Sequence, residues 1–245
     1  MNLSVISDSV RDSLVSNAHL QLMETEDGKR GMEYLVNRGV NRDSIKEWSI
    51  GYCPSFVKDL IFNDRIIVPY ADQYGHIMAV SARKVEGEKP VWWNEKFSKK
   101  NYLFGLDKAK ESIYKNNLAI VVEGQFDVVS FHQRGIKMAV GVCGSSFDEK
   151  QLTLLSRYCN RIMIAFDVDK NKAGQRASKK AFDMLKGMNI YLYRWFLKQG
   201  VDPDLHIRTN GKESCVKEIK KILDKYSYKE RGGFQREYYF GEGKR

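Results

Sequence analysis

Leu118-Ala119-Ile120-Val121-Val122-Glu123-Gly124-Gln125-Phe126-Asp127-Val128-Val129-Ser130 decides the fold. Five apolar residues run unbroken into Glu-Gly and a helical pattern follows, as in a buried parallel strand closed by a tight turn into a helix. Arg161-Ile162-Met163-Ile164-Ala165-Phe166-Asp167-Val168-Asp169 repeats the pattern. Adjacent parallel strands would gather Glu123, Asp127, Asp167 and Asp169 at the carboxyl end of a sheet, where folds of this kind place their ligands. Four carboxylates so close repel one another unless a cation sits among them, and hard oxygen donors suit Mg2+ or Mn2+. The cluster reads as a divalent-metal site for phosphoryl chemistry. Each acid motif taken singly reads equally as a helix cap or a solvated strand end.

Outward from this stretch the pattern alternates. Helices over 126–134, 148–158 and 174–186 and strands over 137–142, 161–166 and 190–195 predict a parallel α/β sheet. Upstream, a helical stripe over 31–38 ends at Gly39, and a short helix runs from Asn41 to Trp48. Strands over 65–70 and 76–83 flank the turn Asp72-Gln73-Tyr74-Gly75 as a hairpin. Residues 1–27 are polar and mildly helical and carry no motif.

Residues 89–102 mix tryptophans with lysines, which suits nucleic acid because rings stack on bases and lysines meet phosphates; the segment reads equally as a linking loop with core tryptophans. The loop Gly141-Val142-Cys143-Gly144-Ser145-Ser146 reads as a phosphate cradle or as an ordinary tight turn.

A chain of 245 residues, 42% hydrophobic, can bury one or two cores without staples. Its net charge of +10 favours a polyanionic partner, although surplus lysine often serves only as a solvated face. Cys53, Cys143, Cys159 and Cys215 contain no Cys-x-x-Cys pair, which argues against a zinc ribbon and a secreted disulfide framework and for reduced, cytoplasmic thiols. No export signal and no membrane-crossing apolar run is present, so no membrane partner is expected.

Glu123-Gly124 with Asp127, then Asp167-Val168-Asp169 and Ala173-Gly174-Gln175-Arg176-Ala177, resembles the Toprim signature found in primases, topoisomerases and some nucleases. The residues ahead of Glu123 resemble the catalytic core of bacterial-type, DnaG-like primases. The matching pieces are Tyr34-Leu35, Arg38-Gly39, Ile50-Gly51-Tyr52, Arg65-Ile66-Ile67-Val68-Pro69, Gly75, Arg83, Pro90, Asn94, Lys99 and Leu103-Phe104-Gly105-Leu106. Val91 stands where that family commonly has lysine, and Lys170-Asn171-Lys172 lengthens the gap after Asp169.

The resemblance implies an α/β Toprim domain with a mainly parallel, Rossmann-like sheet, preceded by a smaller mixed α+β lobe. It divides the chain into a lobe with a basic groove (1–116), a metal-binding Toprim domain (117–210) and a C-terminal helix with basic tail (211–245). It implies Glu123, Asp127, Asp167, Asp169, Asp202 and Asp204 as metal acids, with Glu123, Asp167, Asp169 and Lys99 catalytic. Arg65, Arg83, Asn94, Lys99, Lys100, Lys170 and Arg176 would contact nucleotide or nucleic acid. The activity implied is synthesis of RNA primers on single-stranded DNA from ribonucleoside triphosphates, with Mg2+ or Mn2+ and no zinc.

Without zinc-ribbon cysteines or a helicase region, the chain reads as a stripped cytoplasmic core, either a viral or mobile-element protein acting in the bacterial host's cytoplasm or a fragment. A replicative helicase, a separate zinc-binding protein or a single-strand-binding protein is then expected as partner. A Toprim nuclease or topoisomerase fragment, and a non-catalytic nucleic-acid-binding module, are the alternatives.

Overall fold

The computed structural model describes residues 6–54, 61–87, 91–144, 147–166, 190–197 and 200–230, the side chains of 226–230 excepted. The chain divides into two compact units, Met1–Lys108 and Ala109–Arg245.

The first unit comprises α1 (Asp8–Glu24), α2 (Lys29–Asn37), α3 (Arg42–Glu47) and the strands β1 (Gly51–Cys53), β2 (Arg65–Ala71), β3 (Ile77–Lys84) and β4 (Trp92–Asn94). The strands form an antiparallel sheet in the order β1-β2-β3-β4. Local chemistry explains the joints. Gly39, at φ +82°, ends α2, and its N–H and that of Val40 donate to the carbonyls of Val36 and Leu35. Asn41 caps α3 by accepting the Ser44 N–H at 2.8 Å. The β2–β3 hairpin closes as expected, the Asp72 carboxylate accepting the N–H groups of Tyr74 at 2.8 Å and His76 at 3.0 Å.

One face of this sheet is covered by the helix that carried no sequence motif. Val15 and Ala18 of α1 pack on Cys53, Ile67, Val80 and Ala82, with Phe62 and Trp93 edge to face at 5.1 Å. The helix lies so close that a Cβ on Gly51 would come within 2.5 Å of the Ala18 backbone, so only glycine fits there.

A buried ion pair ties α1 to the segment after β4. Arg11 donates to both oxygens of Glu95, at 3.0 and 2.8 Å, and Glu95 also accepts the N–H groups of Ile6 and Val80. The two side chains are 5% and 1% exposed. A buried carboxylate is tolerable only when its lone pairs are filled in this way.

The second unit holds β5 (Ala119–Val122), α5 (Gln125–Gln133), β6 (Ala139–Gly141), α6 (Glu149–Leu155), β7 (Arg161–Ile164), β8 (Tyr191–Arg194) and α7 (Pro203–Glu230), which breaks at Gly211, φ +74°. α4 (Leu106–Asn116) spans the boundary between the units. The strands are all parallel in the order β6-β5-β7-β8, as the apolar runs predict.

Asp148 caps α6 with Gln151 returning the bond, and Gly135, at φ +76°, ends α5. The helix expected over 174–186 and the tail beyond residue 230 lie outside the described residues. All four cysteines are free, and burial pushes the thiols of Cys159 and Cys215 up to about 11, so neither is a nucleophile at neutral pH. Among the described residues no helix is long and apolar enough to cross a membrane.

Replacing Arg11 with Met leaves Glu95 buried without its cation and should cost about 3 to 5 kcal/mol. Urea unfolding followed by tryptophan fluorescence reads this, since Trp48, Trp92 and Trp93 all lie in this unit. A loss below about 1 kcal/mol would put the pair in the class of surface ion pairs.

Candidate functional site

The acids of the second unit are assembled from the backbone outward. Glu123 leaves the carboxyl end of β5, and Gly124, in extended conformation, begins α5. Asp127 sits in the first turn of that helix, where its Oδ2 accepts the Gly124 N–H at 2.8 Å and closes the turn behind Glu123. Its Oδ1 accepts the N–H of Asp204 at 3.2 Å. One carboxylate therefore joins the Glu-Gly turn to the Asp202-Pro203-Asp204 turn. Asp127, expected as a metal acid, thus accepts backbone N–H groups from the turns that carry the acids on either side of it.

Asp202 starts α7, its Oδ1 accepting the Leu205 N–H at 2.6 Å. Asp204 is buried, at 4% exposure, and its Oδ1 accepts from Arg208 Nε at 3.0 Å. That arginine was not singled out in the sequence, although an Asp-to-Arg spacing of four at a helix start signals the pair.

Asp167, Asp169, Lys170 and Arg176 lie outside the described residues. The chain leading to them is placed: the Ala165 N–H donates to Val121 at 2.9 Å, and Phe166 is the last described residue before Asp167. Among the described residues no three Asp, Glu, His or Cys side chains gather closely enough to hold a metal ion. The oxygen donors present, Glu123 and Asp202 at turns and Asp204 behind Arg208, are nonetheless the hard type that Mg2+ takes.

The loop after β6 is an ordinary turn over its described part. The N–H groups of Val142 and Cys143 donate to the carbonyls of Val122 and Glu123, so they brace Glu123 rather than wait for a phosphate. Ser145 and Ser146 lie outside the described residues.

In the first unit, two expected basic-groove residues, Arg83 and Asn94, fall on one face of the sheet. Register pairs Ser81 with Asn94 and Arg83 with Trp92, and residues two apart on a strand share a face. Ser81 donates to Asn94 Oδ1 at 2.8 Å, and Lys99 reaches the same oxygen at 3.2 Å. Arg83 lies over the Trp92 ring, 5.2 Å from its centroid, and its Nε donates to the Tyr34 hydroxyl. Lys100 is exposed nearby in sequence.

The mixed aromatic and basic segment thus divides by strand alternation. Trp93 turns to the core, whereas Trp92, Asn94 and Arg83 form a planar polar surface. Arg65 is 8% exposed, and its guanidinium donates to the carbonyls of Ala82 and Val91, so it braces β3 and the chain entering β4.

Residues 120–207 match the Toprim-like family. The DNA primase of Aquifex aeolicus is 29% identical over an alignment that takes in 91% of this chain and 48% of that protein. The chain thus spans about half the length of that curated relative. A crystal structure of the zinc-binding and RNA polymerase domains of the Aquifex aeolicus primase aligns with a TM-score of 0.74 at 25% identity, over 95% of this chain and 67% of that one. A DnaG primase catalytic domain bound to single-stranded DNA aligns with a TM-score of 0.79 at 24% identity, over 91% and 84%. Together with the parallel sheet and its terminal acids, these likenesses identify the chain as having the fold of the DnaG-type primase catalytic core, with a Toprim-like domain over residues 120–207.

Proposed function

We propose that this chain is the polymerising core of a DNA primase, joining ribonucleotides into short primers on single-stranded DNA. The observation that carries the reading is the Asp127 carboxylate, which holds the Glu123 turn and the Asp204 turn together at the carboxyl end of a parallel sheet. Such an arrangement has a purpose if several acids must converge on one point. The likeness to curated primases and to a primase domain with bound single-stranded DNA supports the same reading.

In this proposal the 3′-hydroxyl of one ribonucleotide attacks the α-phosphate of the next and pyrophosphate leaves. Glu123, Asp167 and Asp169, with Asp202 and Asp204, would hold Mg2+ or Mn2+, which when bound lowers the hydroxyl's pKa and neutralises phosphate charge. Arg208 orients the buried Asp204. Arg83 offers a planar fork, held flat by Trp92 and Tyr34, to a phosphate; Lys99, steadied by Asn94, offers a point charge. Lys100, Lys170 and Arg176 are assigned to the same polyanion.

The division of labour proposed is nucleic-acid contact by residues 1–116, metal chemistry by 117–210 and an accessory role for 211–245. A replicative helicase, or a separate zinc-binding or single-strand-binding protein, is the proposed partner in the cytoplasm.

The deciding experiment supplies template, NTPs and Mg2+ or Mn2+ and asks for oligoribonucleotides. Cut DNA without them would mean a Toprim nuclease. Asp167→Ala and Asp169→Ala should abolish synthesis without lowering the metal-free melting temperature, since deleting one of several crowded like charges relieves repulsion. Mn2+ at a hundredfold excess over its Kd should stabilise the wild type by about 2.7 kcal/mol, and these variants by much less.

Asp127→Asn replaces one acceptor with a donor that faces a backbone N–H. Synthesis should fall about a hundredfold through misplaced acids, and unchanged rates would sink the positioning role. Lys99→Ala should weaken single-stranded DNA binding and lower the slope of log K against log salt by about 0.7; an unaltered slope would remove Lys99 from the phosphate contacts.

A further inference from the structure

Arg194 closes β8, the edge strand of the parallel sheet, and its guanidinium lies over the ring of Phe196, 4.6 Å from the centroid. Phe196 is 56% exposed, although Trp195 and Leu197 on either side are buried at 3% and 7%. Just past the strand, Trp195 is wedged against Phe131 and hydrogen-bonded to Glu218, which fixes the chain on which the exposed Phe196 ring sits.

The arginine is as unusual as the ring. Arg194 is partly buried, and burial alone lowers its pKa. Among the described residues it has no hydrogen bond and no ion pair, only the phenyl face. A guanidinium stripped of part of its water with no carboxylate beside it destabilises the empty protein, and it is satisfied when an anion arrives. Arg134 and Arg65 are also partly desolvated, but each donates to oxygens of its own unit.

Location narrows the choice of anion. Arg194 pairs with Ile164, and the Trp195 N–H donates to the Ile164 carbonyl at 2.8 Å, so Phe196 stands two residues past that pair. Two residues past it on β7 is Phe166, directly before Asp167, and two residues past Val121 on β5 is Glu123. The arginine–phenylalanine pair therefore flanks the carboxyl end of the sheet, where Glu123 leaves β5. An anion that brings a flat aromatic surface with its charge matches both halves, and a nucleotide is such an anion: its phosphate suits the guanidinium fork and its base the ring.

We propose that Arg194 and Phe196 form a platform for one unpaired nucleotide, phosphate on Arg194 and base on Phe196, at the margin of the metal site. This deepens the primase reading and rests on it for the nucleotide's purpose, not for its binding.

The test uses the full chain and three probes: a fluorescent single-stranded oligodeoxynucleotide, the ribonucleotide oligomer of the same sequence, and ATP. Phe196→Ala and Arg194→Gln should each weaken at least one probe about fivefold or more, the lower bound for losing one stacked base. Phe196→Trp should bind that probe at least as tightly as the wild type, an outcome that separates stacking from mere folding. Weakening of ATP alone assigns the platform to the incoming nucleotide; weakening of an oligomer alone assigns it to template or primer.

Wild-type affinity for all three probes in both Phe196→Ala and Arg194→Gln, with unchanged melting temperatures, overturns the proposal. If the wild type makes no primers yet loses nucleotide binding in these variants, the platform stands and the primase reading falls. If primers are made and the variants bind and polymerise normally, only the platform falls.

Discussion

One carboxylate accepting two backbone N–H groups holds the candidate site together. Asp127 bonds Gly124 through one oxygen and Asp204, 77 residues away in sequence, through the other. Bonds from a charged acceptor to backbone are stronger and more directional than contacts between flexible side chains. Because both donors are main chain, the acids beside them inherit fixed Cα positions. Glu123 is further braced from behind, its carbonyl accepting the Cys143 N–H.

The first unit uses the same physics for a different end. Glu95 fills its lone pairs with Arg11 and two backbone N–H groups inside the fold, so its charge is spent on joining α1 to the sheet. Arg83 instead donates to the Tyr34 hydroxyl and Lys99 to Asn94 Oδ1. Burial separates the two arginines more cleanly than residue type does: Arg65 and Arg83 stand on neighbouring strands, and only the second lies at the surface shared with Trp92 and Asn94.

Much of the architecture was legible in the chain itself. Unbroken apolar runs ending in acids determine parallel strands with acids at their carboxyl ends, because a strand buried on both faces cannot alternate, and those strands pair as β6-β5-β7-β8. Turn chemistry at Asp72, Gly39, Asn41, Gly135 and Asp148 is local, set by side chains within four residues, and each behaves as its residue type predicts. The resemblance of the motifs to a Toprim primase core needed only residue identity and order.

Only the tertiary structure decided which charges act and which hold. Nothing within α1 announces that Arg11 meets Glu95, since the pair spans 84 residues and a polar helix of low amphipathicity looks solvated until a sheet covers one side of it. Nothing around Asp127 distinguishes a ligand from a clasp, because that depends on where Asp204 arrives. Arg65 reads as basic and available, yet the strands beside it remove its water. Phe196 stands between two buried residues, yet it is exposed beneath an arginine. Sequence carries periodicity and residue type, which are local; desolvation and convergence are properties of distant segments meeting, and they assign each charge its role.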